Sequence, residues 1–249
     1  MIRSAYVCLA VIVLPFAAAA QNWDNEQDNQ FVHFGFMFQY ISSEFKIQKK
    51  TSWRDPYFDA DLGMNVTDSL YSISSKSKPG FGLGFVSDFR LGGNADLRFT
   101  PGLAFTDRIV NYEYAPRLSN NTLTVPVTGR VVQATMIDLP VGIKIKSDIR
   151  HNFRGYLLLG AKYSTNIVSK KKTDDAGFAT VDKLLKNKKN YFSYEAGIGF
   201  DLYFEFFKMS PELKFSQSMH NVLKPDMQPY AYPLNRLFLR NLQFSLFFE

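Results

Sequence analysis

Eight stretches of this chain alternate apolar and polar residues with a period of two, the pattern of strands that have one apolar and one polar face. In the first, Val32, Phe34, Phe36, Phe38 and Tyr40 alternate with His33, Gly35, Met37 and Gln39. The second sets Phe81 to Leu91 against Gly82, Gly84, Asp88 and Arg90, and the third sets Leu97 to Phe105 against Asp96, Arg98, Thr100 and Gly102. The next two place Asp138, Lys144 and Lys146 between Ile137 and Ile145, then Arg154, Gly160 and Lys162 between Phe153 and Tyr163. Glu195, Gly197, Gly199, Asp201 and Glu205 interleave with Phe192 to Phe204, while Glu212 and Lys214 flank Leu213 and precede Phe215. Leu242, Phe244, Leu246 and Phe248 close the series. Each stretch has about the ten residues that a tilted membrane-spanning strand needs, and no run of apolar residues is long enough for a spanning helix.

The connections alternate in length. Short ones fall at 92–94, 147–152 and 206–208, and long ones at 46–78, 115–133, 167–190 and 220–236. Short turns on one side and long loops on the other describe an outer-membrane barrel with both termini on the periplasmic side. The fold expected is therefore all-β: an eight-stranded antiparallel transmembrane barrel of OmpA or OmpX size. Its polar face carries the acids Asp88, Asp96, Asp138, Glu195, Asp201, Glu205 and Glu212 and the bases Arg90, Arg98, Lys144, Lys146, Arg154, Lys162 and Lys214. Eight strands enclose a space just wide enough for their own side chains. Charges placed there must pair, because an unpaired buried charge is costly. Seven acids against seven bases fit a filled, charge-paired lumen. A soluble lipocalin-like barrel or sandwich has the same period, but 24 Phe and 13 Tyr are many for a face turned to water. Pro101, Pro140 and Pro211 lie inside strand patterns, where each removes a ladder donor or marks a bulge.

Residues 1–20 read as a secretory signal peptide, with Arg3, an apolar run from Ala5 to Phe16 and a small-residue ending at Ala17 to Ala20. Cleavage after Ala20 leaves a polar lead-in over 21–30 and a barrel over 31–249. The one cysteine, Cys8, lies inside the signal, so the mature chain has no disulfide, thiolate ligand or cysteine nucleophile.

The sequence offers no catalytic residue, cofactor site or metal site, and the expectation is a protein that is not an enzyme. A lipid-modifying barrel would need a nucleophile beside a base. His33 falls within the first strand, His151 in a short periplasmic turn and His220 at the outer end of the seventh strand, and Ser218 with His220 reads as a loop edge. The third long loop is basic, with Lys170, Lys171, Lys172, Lys183, Lys186, Lys188 and Lys189 against Asp174, Asp175 and Asp182. Such a loop suits lipopolysaccharide phosphates or an acidic partner. A net charge of +6 and a pI near 9.2 do not imply nucleic acid for an exported barrel, and no small-molecule substrate is indicated. Asp68-Ser69-Leu70 has the form of an O-glycosylation acceptor of the Bacteroidetes.

Three stretches, IDLPVGIKIKS at 137–147, GYLLLGAKYSTNIVSKKK at 155–172 and YEAGIGFDLYFEFFKMSPELKFSQSMHNVL at 194–223, resemble the PorT family of type IX secretion and gliding-motility proteins of the Bacteroidetes. FVHFGFMFQY, LRFTPGLAF and the final LQFSLFFE are compatible with it. The resemblance implies an integral component of the cell outer membrane that supports export of cargo to the surface, with outer-membrane lipid and other secretion components as partners. It implies no catalytic residue. The chain departs from the common aromatic ending of such barrels, since Glu249 follows Phe248. A generic small barrel for adhesion or envelope integrity has the same strand pattern.

Overall fold

A computed structural model describes residues 31–119, 122–168, 175 and 177–249; the signal-peptide and lead-in segments lie outside them. In chain order the strands are β1 (Val32–Lys49), β2 (Phe58–Asp59), β3 (Met64–Asn65), β4 (Leu70–Lys76), β5 (Lys78–Arg90), β6 (Ala95–Phe99) and β7 (Gly102–Tyr114). Then come β8 (Arg117–Ser119), β9 (Thr122–Thr124), β10 (Val127–Lys146), β11 (Phe153–Asn166), β12 (Asn190–Tyr203), β13 (Lys208–Ser218) and β14 (Leu234–Phe248).

All pairings are antiparallel, and β1 hydrogen-bonds to both β14 and β5, which closes the sheet into a ring. The ring has eight staves because two are made of two strands each. In one, β4 and β5 run along β7 with Lys76 opposite Ile109 and Phe81 opposite Phe105, so five steps face four and one residue bulges out. In the other, β6 and β7 keep a continuous register on β10, with Phe99 opposite Val141 and Gly102 opposite Asp138. Proline explains that interruption. Thr100 N–H donates to the Pro140 carbonyl at 3.3 Å, but Pro140 has no N–H to return the bond. Pro211 likewise interrupts the β12–β13 ladder between Gly199–Glu212 and Leu202–Met209 without shifting its register.

Three turns, 91–94, 147–152 and 204–207, sit at one end of the ring, and the long connections sit at the other. The second long connection is shorter than its expected span of 115–133, because β10 already begins at Val127. Likewise β1 runs to Lys49, past the expected start of the first long connection at 46. These outer extensions turn Phe45, Val132 and Ala134 inward but carry polar residues such as Glu44, Lys46 and Gln133 outward, the surface of a wall standing in water.

Around the middle of the ring the outward face is apolar: Phe36, Phe38, Leu83, Phe85, Val141, Ile143, Leu157, Leu159, Ile198, Leu213 and Phe244 are all exposed. Aromatic pairs bound this band. Phe36 stacks on Phe248 and Phe153 on Phe200 near the turns, while Phe81 meets Phe105 and Tyr163 meets Phe192 toward the loops. An apolar belt between two aromatic girdles is the outer surface of a membrane barrel.

Candidate functional site

The inward face has two storeys. At the turn end it is charged and continuously paired. Arg98, from β6, is the hub: Nε and Nη2 donate to the two oxygens of Asp88 at 2.8 and 2.7 Å, Nη1 to Glu212 at 3.2 Å and Nη2 to Glu249 at 3.2 Å. The Arg98 guanidinium also faces the ring of Phe247, 4.6 Å away. The Tyr156 hydroxyl donates to Glu212 at 3.0 Å. Lys144 meets Asp201 at 2.8 Å and Asp88 at 3.6 Å, and Ser210 donates to Asp201 at 2.6 Å. Lys208 meets Glu249 at 2.8 Å. Toward mid-barrel the chain continues through Lys214, which lies 3.7 Å from Glu212 and 3.3 Å from Glu195, to Lys162, 3.2 Å from Glu195 and 3.3 Å from Asp138. Near the turns Lys146 meets Asp96 at 2.7 Å, and Arg154 donates to the Ser147 carbonyl at 2.7 Å.

Of the fourteen charged positions expected on this face, eleven are buried inside the ring and Asp138 is half-buried. Arg90 sits at the turn end, where it reaches the Gly92 carbonyl. Glu205 must be corrected: it is exposed in the 204–207 turn, because β12 ends at Tyr203. Two residues that alternation could not show take part instead. Lys208 opens β13, and Glu249 follows the last strand; each backbone donates to the other, at 2.7 and 2.9 Å, which turns both side chains inward. Glu249 lies two residues from the inward-facing Phe247, but past the last strand, where parity alone does not set its direction.

Between Gln39, Asp138, Lys162, Glu195, Lys214 and Gln243 a cavity of about 10 Å³ remains, the space of a single water. Glycines keep the ring this tight. A Cβ on Gly199 would stand 2.4 Å from the Tyr156 ring.

The outer storey is mainly apolar, above a buried polar band in which Arg108 donates to Ser43 and Thr106 at 3.3 Å each and Ser43 to Asn241 at 2.7 Å. Ile41, Phe45, Ile73, Val110, Tyr112, Met136, Leu237 and Leu239 from the wall pack with Leu185, Val222, Leu223, Tyr230 and Ala231 from the loops. The loops fold over the mouth and tie to one another. Tyr112 donates to the Tyr230 carbonyl at 2.6 Å, Tyr230 to the Val181 carbonyl at 2.6 Å, and Arg130 to the Tyr230 hydroxyl at 2.5 Å. Thr180 donates to Asp59 at 2.6 Å and Tyr57 to the Met227 carbonyl at 3.0 Å. That bond from Thr180 holds the Asp59 carboxyl below its usual pKa. Burial alone would raise Asp175, but the Lys186 ammonium and the Leu184 amide lower it on balance. Lys49 is pushed down, chiefly by desolvation and then by Arg54.

The lysines of the third loop do not act as one cluster. Lys170, Lys171 and Lys172 lie outside the described residues. Lys186 is ion-paired to Asp175 and lies 3.7 Å from Asp226, and Lys183 reaches the Asp175 carbonyl. Lys188 and Lys189 are exposed. Asp68 pairs with Arg117, Ser69 is exposed and Leu70 is buried. Ser218 is buried and its hydroxyl accepts the Leu239 N–H at 2.9 Å. His151 lies in a turn at the opposite end. Among the described residues no group of three His, Cys, Asp or Glu side chains is placed to hold a metal ion, and no helix is long and apolar enough to cross a membrane.

Over residues 20–224 the sequence matches the family described as outer membrane protein beta-barrel domain. Similar solved structures include Neisserial surface protein A, at 8% identity and a TM-score of 0.39 over 88% of this chain and 98% of that one. The Ail attachment invasion locus protein of Yersinia pestis, solved with the heparin analogue sucrose octasulfate, is 12% identical, with a TM-score of 0.37 over 88% and 99% of the two chains. OprG of Pseudomonas aeruginosa is 15% identical, with a TM-score of 0.37 over 87% and 92%. Among curated proteins none matches.

Proposed function

Because the chain belongs to the family of outer membrane protein beta-barrel domains, we propose that it is a non-enzymatic barrel that supports type IX export of cargo to the cell surface from outside its own lumen. One observation carries this reading: the interior is filled by ion pairs below, a buried polar band around Arg108 and apolar packing above, so neither an unfolded nor a folded cargo chain can pass. Whatever the protein does for export, it does with its wall and its capped loops. The resemblance of 137–147, 155–172 and 194–223 to PorT proteins directs that role toward the type IX system, as a piece docked against a larger translocon.

Deleting the gene tests the reading. Type IX cargo should accumulate in the periplasm, and the tagged wild-type protein, extracted in gentle detergent, should bring a larger outer-membrane component with it. Cargo secretion at the parental level in the deletion strain overturns the proposal and leaves adhesion or envelope integrity as the function.

A further inference from the structure

The wall above the apolar belt is electrically lopsided. On the β12–β13–β14–β1 half its outward cations are Arg240 and Arg236 of β14, Lys46 of β1, and Lys188, Lys189 and Lys224 from the adjoining loops, all six exposed except the half-buried Arg240. The loop lysines join this half because their segments extend the sheet. Lys188 N–H donates to the Val222 carbonyl at 2.8 Å, Lys224 N–H to the Lys186 carbonyl at 3.0 Å, and Val222 N–H to the Leu237 carbonyl of β14 at 2.9 Å. Against these cations stand Glu44, paired in register with Arg240, and the exposed Asp226, two residues from Lys224 and 3.7 Å from Lys186. The ion pairs of the described residues use other cations: Arg98, Arg117, Lys144, Lys146, Lys162, Lys186, Lys208 and Lys214. The stave beside β1 adds Lys76 of β4, whose neighbour Ser75 accepts the Phe45 N–H, whereas further round the ring β7 carries the outward acids Asp107 and Glu113.

Depth gives the patch its meaning. Along β14, Arg240 and Arg236 stand beyond the lipid-facing Phe244 by about 13 and 26 Å of strand. Lys46 follows Tyr40 on β1 in the same direction. Cations directly above an aromatic girdle lie at headgroup level. The Gln217 carbonyl oxygen accepts from Arg240 Nε at 3.0 Å, which orients the guanidinium. A planar fork of that kind suits the oxygens of a phosphate.

We infer that this half of the wall binds the phosphorylated headgroup of an outer-leaflet glycolipid, with Arg240 and Lys46 on the inner phosphate level and Arg236, Lys188, Lys189 and Lys224 on anionic groups further out. The site moves the glycolipid contact expected of the third loop onto the barrel wall. It rests on placement in the outer membrane and not on the secretion reading.

The test uses the folded full chain in detergent, titrated with purified lipopolysaccharide, with its dephosphorylated form and with inorganic phosphate, with bound mass read by native mass spectrometry. The combined variant Lys46→Gln/Arg236→Gln/Arg240→Gln should bind lipopolysaccharide roughly tenfold more weakly or worse, since each cation near an anionic surface contributes measurably to attraction. The control Arg150→Gln, exposed in the 147–152 turn at the other end of the ring, should bind like the parent, and dephosphorylated glycolipid should bind the parent as weakly as lipopolysaccharide binds the combined variant. Equal losses in both variants would assign the effect to net charge and overturn the site, and so would parental binding by the combined variant. Inorganic phosphate competing at the same concentration as the glycolipid would overturn the lipid assignment. Heat-dependent gel mobility reports folding; should the combined variant fail it, Arg240→Gln alone is read the same way against Arg150→Gln.

Discussion

Replacing Arg98 with Met should destabilise the barrel by about 3–5 kcal/mol, the range found when one partner of a buried ion pair is removed. Asp88, Glu212 and Glu249 all converge on this guanidinium, so the substitution strands more than one carboxylate and the effect belongs at the upper end. Met fills similar space, which keeps a cavity term from masking the electrostatic one. Lys144 and Lys208 approach Asp88 and Glu249 from other sides and limit the damage there, whereas Glu212 keeps Tyr156 and, more distantly, Lys214. Arg98→Lys should fall between, since it restores the charge without the two-pronged bond to Asp88. Urea unfolding in lipid vesicles measures the differences. A loss under 1 kcal/mol for Arg98→Met would mean that the hub is solvated rather than buried.

Leu159→Arg should cost about 2–4 kcal/mol, the range for an arginine at the bilayer midplane of a barrel. Leu159 is 58% exposed, mid-strand on β11, between Leu157 and Ala161 on the outward face. In water such an exposed position would tolerate Arg within about half a kcal/mol, so the cost exists only if lipid covers it. Gln133→Arg supplies the contrast. Gln133 faces outward on β10 beside Asp107 of β7, beyond the Phe105 ring. It should be neutral in the same assay. Equal effects at the two sites would remove the belt from the bilayer.

The barrel was legible in the sequence because lipid imposes a rule on alternate residues: Phe34 to Tyr40, or Ile137 to Ile145, have to be apolar on one face whatever lies on the other. The same logic found the interior charges, since Asp88, Arg98 and Lys144 stand on the polar face with nothing else to neutralise them. It failed where lipid stops writing the pattern. β1 beyond Tyr40 and β10 before Gln133 stand above the membrane, so their outward residues are mixed and the strands read as loops. Glu205 looked inward by parity, but parity ends with the strand, and the 204–207 turn carries it away. Glu249 departs from an aromatic ending, and its carboxylate reaches the Arg98 hub through a backbone pairing with Lys208. The apolar outer storey was hidden for a different reason. Leu185, Val222, Leu223 and Tyr230 have no period of their own, and they meet Phe45 and Leu237 only once the loops have closed over the mouth. The cation sector is likewise a product of the register between β1, β14 and the loop segments, and no linear run of the sequence contains it.

A role carried by wall and loops requires that nothing passes through the lumen. Planar-bilayer recording of the purified barrel tests this most directly. A filled interior predicts a silent membrane, with no stable conductance steps at physiological voltage and salt. Arg98→Met would then be the variant in which steps first appear, as the hub loosens. Steady, discrete conductance from the unaltered protein, scaling with salt as an open water-filled pore does, would contradict it.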